Sequence, residues 1–308
     1  MKDHHEIPFI GINGANPLGF LAALGAFRAT QEISTASTIY LSWRPSGGSW
    51  QPVLHTSTFG TTERWIDALH SYLSAQANHP ALTIAYNPKM PPAAFRAYAQ
   101  KAQQSWLADS NDTWASFAAA FGSDGVVDDR NLTEDTAFRT MSGAGHQHFL
   151  LFMNELARDT SSAQLQEAVL GPWRYRDTQF SMRWDPEDDR RYSLRWQNPS
   201  TDPARNVRGA NRLAIEALPL FPTMPTTKQL ATTGFIGRKS NDTFWTWPIW
   251  THPITVDTCR SLFAHVELAK REPQLANLLP LGITAIFRSQ RITIGKFRNF
   301  TPAQAIGF

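Results

Sequence analysis

Cysteine is almost missing from this chain: Cys259 is the single thiol in 308 residues. One thiol forms no internal disulfide and falls far short of a zinc or iron–sulfur ligand set, so a reducing compartment is expected. Long hydrophobic runs are missing as well. The longest covers residues 18–27 and contains two glycines, about half of the roughly 20 residues that a membrane helix needs. The segment ahead of it carries Asp3 and Glu6 in place of a basic n-region, so no secretory signal is expected and the expected location is cytoplasmic. Enzyme signatures are scarce too. Residues 234–240, Gly-Phe-Ile-Gly-Arg-Lys-Ser, have the flavour of a phosphate loop with the wrong glycine spacing. Neither a Gly-x-Ser-x-Gly elbow nor a His-Glu-x-x-His helix occurs, and no cofactor motif is present.

What the chain has is apolar bulk and arginine. Hydrophobic residues make up 42% and charged residues 18%, below the roughly 25% charge usual in soluble domains, which excludes disorder and allows a sizeable core. Residues 1–150 hold 9 Lys+Arg against 12 Asp+Glu, whereas residues 151–308 hold 20 against 14. The net +3 of the whole chain therefore hides an acidic half and a basic half. Of the 29 cations 22 are Arg, whose guanidinium fork suits phosphates, base edges and buried carboxylates alike.

The pattern along the chain predicts an α+β fold in which a strand, a helix and a hairpin lead into a helical middle and a mixed region closing with a β-hairpin. Residues 10–16 read as a short strand running into a tight loop. Asn16 reads as an N-cap with Pro17 in the first turn of a helix reaching Ser34, and the glycines of that helix predict a close backbone neighbour. A hairpin is expected around residues 45–48, helices over 62–77, 92–107 and 112–121, and a strand over 82–86. The glycine-punctuated stretch 122–145 reads as a functional loop or hinge. Helices resume over 146–158, 162–170 and 208–218, followed by a basic loop over 228–241 and a buried extended segment over 244–250. An amphipathic helix over 255–270 and a terminal hairpin turning at Ser289-Gln290 complete the pattern. Two regions are expected, 1–145 and a basic, aromatic-rich 146–308, or a single domain containing both.

Cys259, mid-helix beside Leu262 and Phe263, reads as buried filler. His146 and His148 lack regularly spaced acidic or Cys partners, so no metal site is expected there. Asp124, Asp128 and Asp129 do not fit a calcium loop. The run Asp185-Pro186-Glu187-Asp188-Asp189 is the one cluster with the composition of a Mg²⁺ nuclease site, yet Arg190 and Arg191 follow at once and favour a salt-bridged loop. The candidate nucleic-acid contacts are basic patches. Residues 173–212 hold nine Arg and no Lys among six aromatics. Within them Arg205, Arg208 and Arg212 are expected to clamp phosphates, and Asn206 and Asn211 to read base edges. Lys228, Arg238, Lys239 and Asn241 form a second patch. Arg288, Arg291, Lys296 and Arg298 form a third, with no acid between residues 281 and 308. Asn13 and Asn16 belong to a loop that would face the same ligand. Convergence of these patches on one groove would make a nucleic-acid track.

Residues 16–28, Asn-Pro-Leu-Gly-Phe-Leu-Ala-Ala-Leu-Gly-Ala-Phe-Arg, resemble the opening helix of type I CRISPR-associated proteins of the I-G (I-U) group, in particular large-subunit-like members. Residues 141–150, and residues 184–195 continuing to 209–214, look like the same kind of protein. The resemblance implies a non-catalytic subunit of the Cascade antiviral surveillance complex. Such a subunit would contact the guide RNA (crRNA) at its 5′ handle, recognise the motif flanking the target (the PAM) in double-stranded DNA, bind other subunits and recruit the helicase-nuclease. Guide pairing would carry most of the specificity. Two alternatives remain open: a metal-dependent nuclease using Asp185, Glu187, Asp188 and His146, and an adaptor that binds only protein.

Overall fold

The structure is a computed structural model that describes residues 5–85, 87–141, 148–188, 205–227, 229–237, 242–294 and 297–308. It is an α+β fold. Strand β1 (His5–Pro8) precedes the loop at residues 10–16 rather than occupying it, because Gly11 and Gly14 donate their amides outward, to Val169 and Trp50 carbonyls. Helix α1 (Pro17–Ile33) starts as its sequence dictates, with the Asn16 side chain accepting from the Gly19 amide and Pro17 in the first turn. Strands β2 (Tyr40–Ser46) and β3 (Ser49–Thr56) form the expected hairpin around Gly47-Gly48, whose φ values of 55° and 80° suit glycine. The three strands make a sheet in the order β1-β3-β2.

Helices α2 (Thr62–Ala75), α3 (Pro80–Thr83), α4 (Pro92–Asp109) and α5 (Thr113–Phe121) follow. Helix α3 takes the first two residues of the span expected as a strand, and Ile84 and Ala85 belong to no strand. His79 caps it by accepting the Ala81 amide and Pro80 fixes its first turn, a local signal stronger than the apolar run behind it. The stretch expected as loop contains a two-stranded sheet, β4 (Gly122–Val127) with β5 (Thr133–Asp135). Helices α6 (Phe149–Asp159), α7 (Ser162–Leu170, with a capping box at Ser161 and Gln164) and α8 (Arg208–Ala217) come next. Strands β6 (Thr223–Pro225) and β7 (Leu230–Thr232) pair with each other.

The larger sheet contains β8 (Phe235–Ile236), β9 (Thr243–Trp250), β10 (Ile283–Ile294), β11 (Phe297–Phe300) and β12 (Gln304–Ile306), in the order β11-β10-β9-β8 with β12 also on β10. Between β9 and β10, helix α9 (Val256–Phe263) stops short of the expected residue 270, because His265 caps a separate 3₁₀ turn, Val266–Ala269. The expected corner at Ser289-Gln290 lies inside β10. Ser289 donates to the Thr301 carbonyl and the Gln290 amide to the Thr301 hydroxyl, so both residues are held extended in mid-sheet.

One core joins the two expected regions, running from Ile7 through Phe149 to Phe300. Its centre is Phe20 of α1, stacked on Trp43 at 5.4 Å and ringed by Trp245, Trp247, Trp250 and Phe263. The indole N–H groups of Trp247 and Trp250 donate to the Gly14 and Leu41 carbonyls, so these bulky side chains are buried without losing hydrogen bonds. Helices α1 and α8 touch at Gly25, where a Cβ would stand 1.7 Å from the Leu213 carbonyl oxygen. This is the close backbone neighbour that the glycine predicts. Among the described residues no helix is long and apolar enough to cross a membrane.

Candidate anion-binding site

The segment expected as the principal nucleic-acid patch turns inward. Asn206 and Asn211 are buried. Asn206 donates to the Asp177 and Gln179 carbonyls, and Asn211 accepts the Met182 amide at 2.9 Å while donating to the Val207 carbonyl. Arg212 is 0% exposed and pairs with Glu216 at 2.8 Å. Arg208 pairs with Asp177 and lies over the Phe180 ring. Asn206, Asn211 and Arg212 therefore hold the core together, and neither base reading nor phosphate clamping fits their burial. The sequence signal misled because a guanidinium or amide placed for a ligand and one placed for a buried carboxylate or carbonyl look the same in one dimension. Arg205 is exposed. Lys228, Arg238, Lys239 and Asn241 lie outside the described residues, as do His146 and Lys296.

The loop asparagines are also engaged internally. Asn13 is exposed, and its side chain accepts the Ala15 amide. Asn16 caps α1 and donates to Asp185 at 2.9 Å, and the Tyr175 hydroxyl donates to the other Asp185 oxygen at 3.1 Å. Asp185 is 1% exposed, and burial raises its pKa despite these hydrogen bonds. It braces the start of α1, which corrects its reading as a candidate metal ligand. Among the described residues no group of three His, Cys, Asp or Glu could hold a metal ion. Cys259 is fully buried and burial pushes its thiol upward, as filler requires.

The third basic patch divides. Alternation along β10 sends Arg288 to one face and Arg291 to the other. Arg288 is tied to the Lys270 and Arg271 carbonyls and to Thr246. Arg291 and Arg298 share a face: Arg298 stands opposite Thr293 and Phe300 opposite Arg291 in the β10–β11 register, which makes the two arginines diagonal neighbours within reach of long side chains. They line an open cleft of about 290 Å³ together with Lys89, residues 134–137, residues 229–232, Phe235–Gly237 and Thr243.

The cleft is built on polar contacts. Arg291 donates to the Ala137 carbonyl, and its Nε is buried without a hydrogen-bond partner. Arg298 donates to the Arg139 carbonyl at 3.4 Å. Behind them Arg139 pairs with Asp135 and donates to the Met141 carbonyl. Lys89 pairs with Asp128 at 2.6 Å, and Glu134 accepts the Leu230 amide at 2.9 Å. Among the described residues that line the cleft three cations thus stand against two carboxylates, and Arg291 and Arg298 have no described carboxylate within 4.0 Å. Burial and then the Arg298 charge lower the Arg291 pKa to about 10; burial and then Arg139 lower that of Arg298. Such an arrangement costs free energy when empty and is repaid by an anion. Arg139 was absent from every sequence-based candidate set, because only the fold brings it beside residues more than 150 positions away. Comparison with protein-family models, with curated proteins and with solved structures finds no match.

Proposed function

We propose that the chain is a non-catalytic, nucleic-acid-binding subunit of an RNA-guided surveillance complex of the type I CRISPR kind. The observation that carries this reading is the pair of guanidiniums, Arg291 and Arg298, held in an open cleft without carboxylate partners among the described residues. The resemblance of residues 16–28, 141–150 and 184–195 to large-subunit-like proteins supports it from the sequence side. In this reading the cleft holds backbone phosphate of the guide RNA or of the flanking target DNA, while pairing between guide and target supplies specificity. The partners are the crRNA, double-stranded target DNA, other subunits of the complex and its helicase-nuclease, and the protein works in the cytoplasm. In this reading the buried Asn206 and Asn211 take no part in PAM recognition.

The test is purification of the chain with its native partners, followed by filter binding of the isolated chain to RNA and DNA in rising salt. Copurification with a short repeat-derived RNA, and affinity that falls steeply with salt, are expected. A chain that binds no nucleic acid even at low salt, but still captures protein partners, is the adaptor instead. Cleavage of labelled DNA with Mg²⁺, abolished by Asp188→Ala, would overturn the non-catalytic reading.

A further inference from the structure

We propose that the Arg291–Arg298 cleft binds one phosphodiester group of a nucleic-acid backbone, gripped by these two guanidiniums and indifferent to base sequence. The proposal rests on the nucleic-acid reading above and narrows it to one site and one chemical group. Four observations lead to it. The β10–β11 register sets both side chains on one face, diagonally adjacent, so their forks can close on the same group. Backbone carbonyls of Ala137 and Arg139 take one N–H from each guanidinium and thereby aim it, and the buried Nε of Arg291 still lacks an acceptor.

Charge gives the third observation. Among the described residues that line the cleft, Lys89, Arg291 and Arg298 stand against Glu134 and Asp135, which leaves one positive charge in excess. That excess matches the single charge of a phosphodiester and leaves the second charge of a phosphomonoester unmatched. The fourth is the position of the base-reading candidates: Asn206 and Asn211 are spent on internal hydrogen bonds, and neither lines the cleft. Phosphate contact without base-edge contact positions a strand and carries no sequence information. Arg139 acts as a positioning residue, through its carbonyl on Arg298.

Filter binding of oligothymidylate, oligouridylate and a mixed-sequence single strand over a salt series tests the site, with the full chain and with Arg291→Gln, Arg298→Gln and Arg298→Lys. Each Gln variant should bind at least about tenfold more weakly, lose about one unit of slope in log K against log salt, and lose it equally for all three strands. Arg298→Lys keeps the charge but not the fork, so it should keep the parent slope and bind more weakly than the parent. Thermal melting of each variant at or above the parent midpoint establishes that it is folded. Parent-like slope and affinity in folded Gln variants would overturn the site while leaving the nucleic-acid reading standing. A loss confined to one strand sequence would overturn the indifference to sequence, and so would full parent affinity in Arg298→Lys overturn the fork. A parent chain that binds none of the strands at low salt removes the nucleic-acid reading and the site with it.

Discussion

Arg28 and Arg212, on the seam between α1 and α8, are each about as buried as an arginine can be, and Glu216 accepts from both, at 3.0 and 2.8 Å. Glu32 adds a second carboxylate 3.6 Å from Arg28, and the Leu73 carbonyl takes another Arg212 donor. Two cations meet two anions, so the charges balance, although Arg28 Nε and Nη2 and Arg212 Nε have no hydrogen-bond partner. Arg291 and Arg298 are set on a strand pair with no carboxylate within 4.0 Å among the described residues, and Asp135 in the same cleft is held by Arg139. The two regions use the same side chain differently. Where carboxylates balance it, arginine fastens two helices; where none of the described carboxylates reaches it, its charge faces an open cleft.

Glu216→Ala tests the balanced region most severely. It leaves Arg212 buried without a carboxylate and Arg28 with Glu32 alone, and should cost about 3–5 kcal/mol in urea denaturation. Replacement of both arginines and Glu216 together by apolar residues should recover much of that loss, and failure to recover would show that the cluster is more than a balanced charge. Gly25→Ala strikes the same seam sterically. Its Cβ would overlap the Leu213 carbonyl, and a loss at the upper end of roughly 1–3 kcal/mol, or beyond it, is expected by the same assay.

Arg208→Ala separates the two regions more finely, because Arg208 is paired with Asp177 and stacked on Phe180. It should lower stability by about 2 kcal/mol with oligonucleotide affinity unchanged, the inverse of Arg291→Gln. A drop in affinity without a drop in stability would move the binding surface back toward residue 208. The smallest effect is expected at the rim of the cleft. The hydrogen bond from Lys89, then the Leu132 amide, hold the Asp128 pKa well below its ordinary 3.8. A depressed carboxylate contributes stability that is complete above its ordinary value and lost as pH falls through the folded value. Asp128→Asn should therefore lower stability at neutral pH, by an amount that shrinks as pH falls below about 4, and so flatten the acid limb of the stability profile.

Much of the fold is legible in local signals. Asn16-Pro17 starts α1, Gly47-Gly48 turns the first hairpin, and Ser161 with Gln164 opens α7. The errors fall where a signal is shared by two structures. Leu82 and Thr83 open an apolar run that fits strand or helix, and the cap at His79 with Pro80 in the first turn draws these two into helix. Ser289-Gln290 has the composition of a turn, but partners on Thr301 keep it in strand. At the candidate site, the arginine-rich character of the second half was legible and the identity of the cleft arginines was not. Among the candidates, Arg291 and Arg298 lay in a patch noted for its lack of acid, whereas Arg212 and Asn211 looked stronger and proved to be core.

The sequence alone determined the α+β class, the start of α1, the close approach at Gly25, the inert cysteine and an excess of positive charge beyond residue 150. These follow from short-range rules, in which capping, backbone freedom and composition act within a few residues. Which arginines meet carboxylates was decided only by the tertiary structure. Glu216 reaches Arg28 across 188 residues and Arg291 reaches Ala137 across 154. Charge compensation is a matter of distance in space, a quantity that order along the chain does not contain.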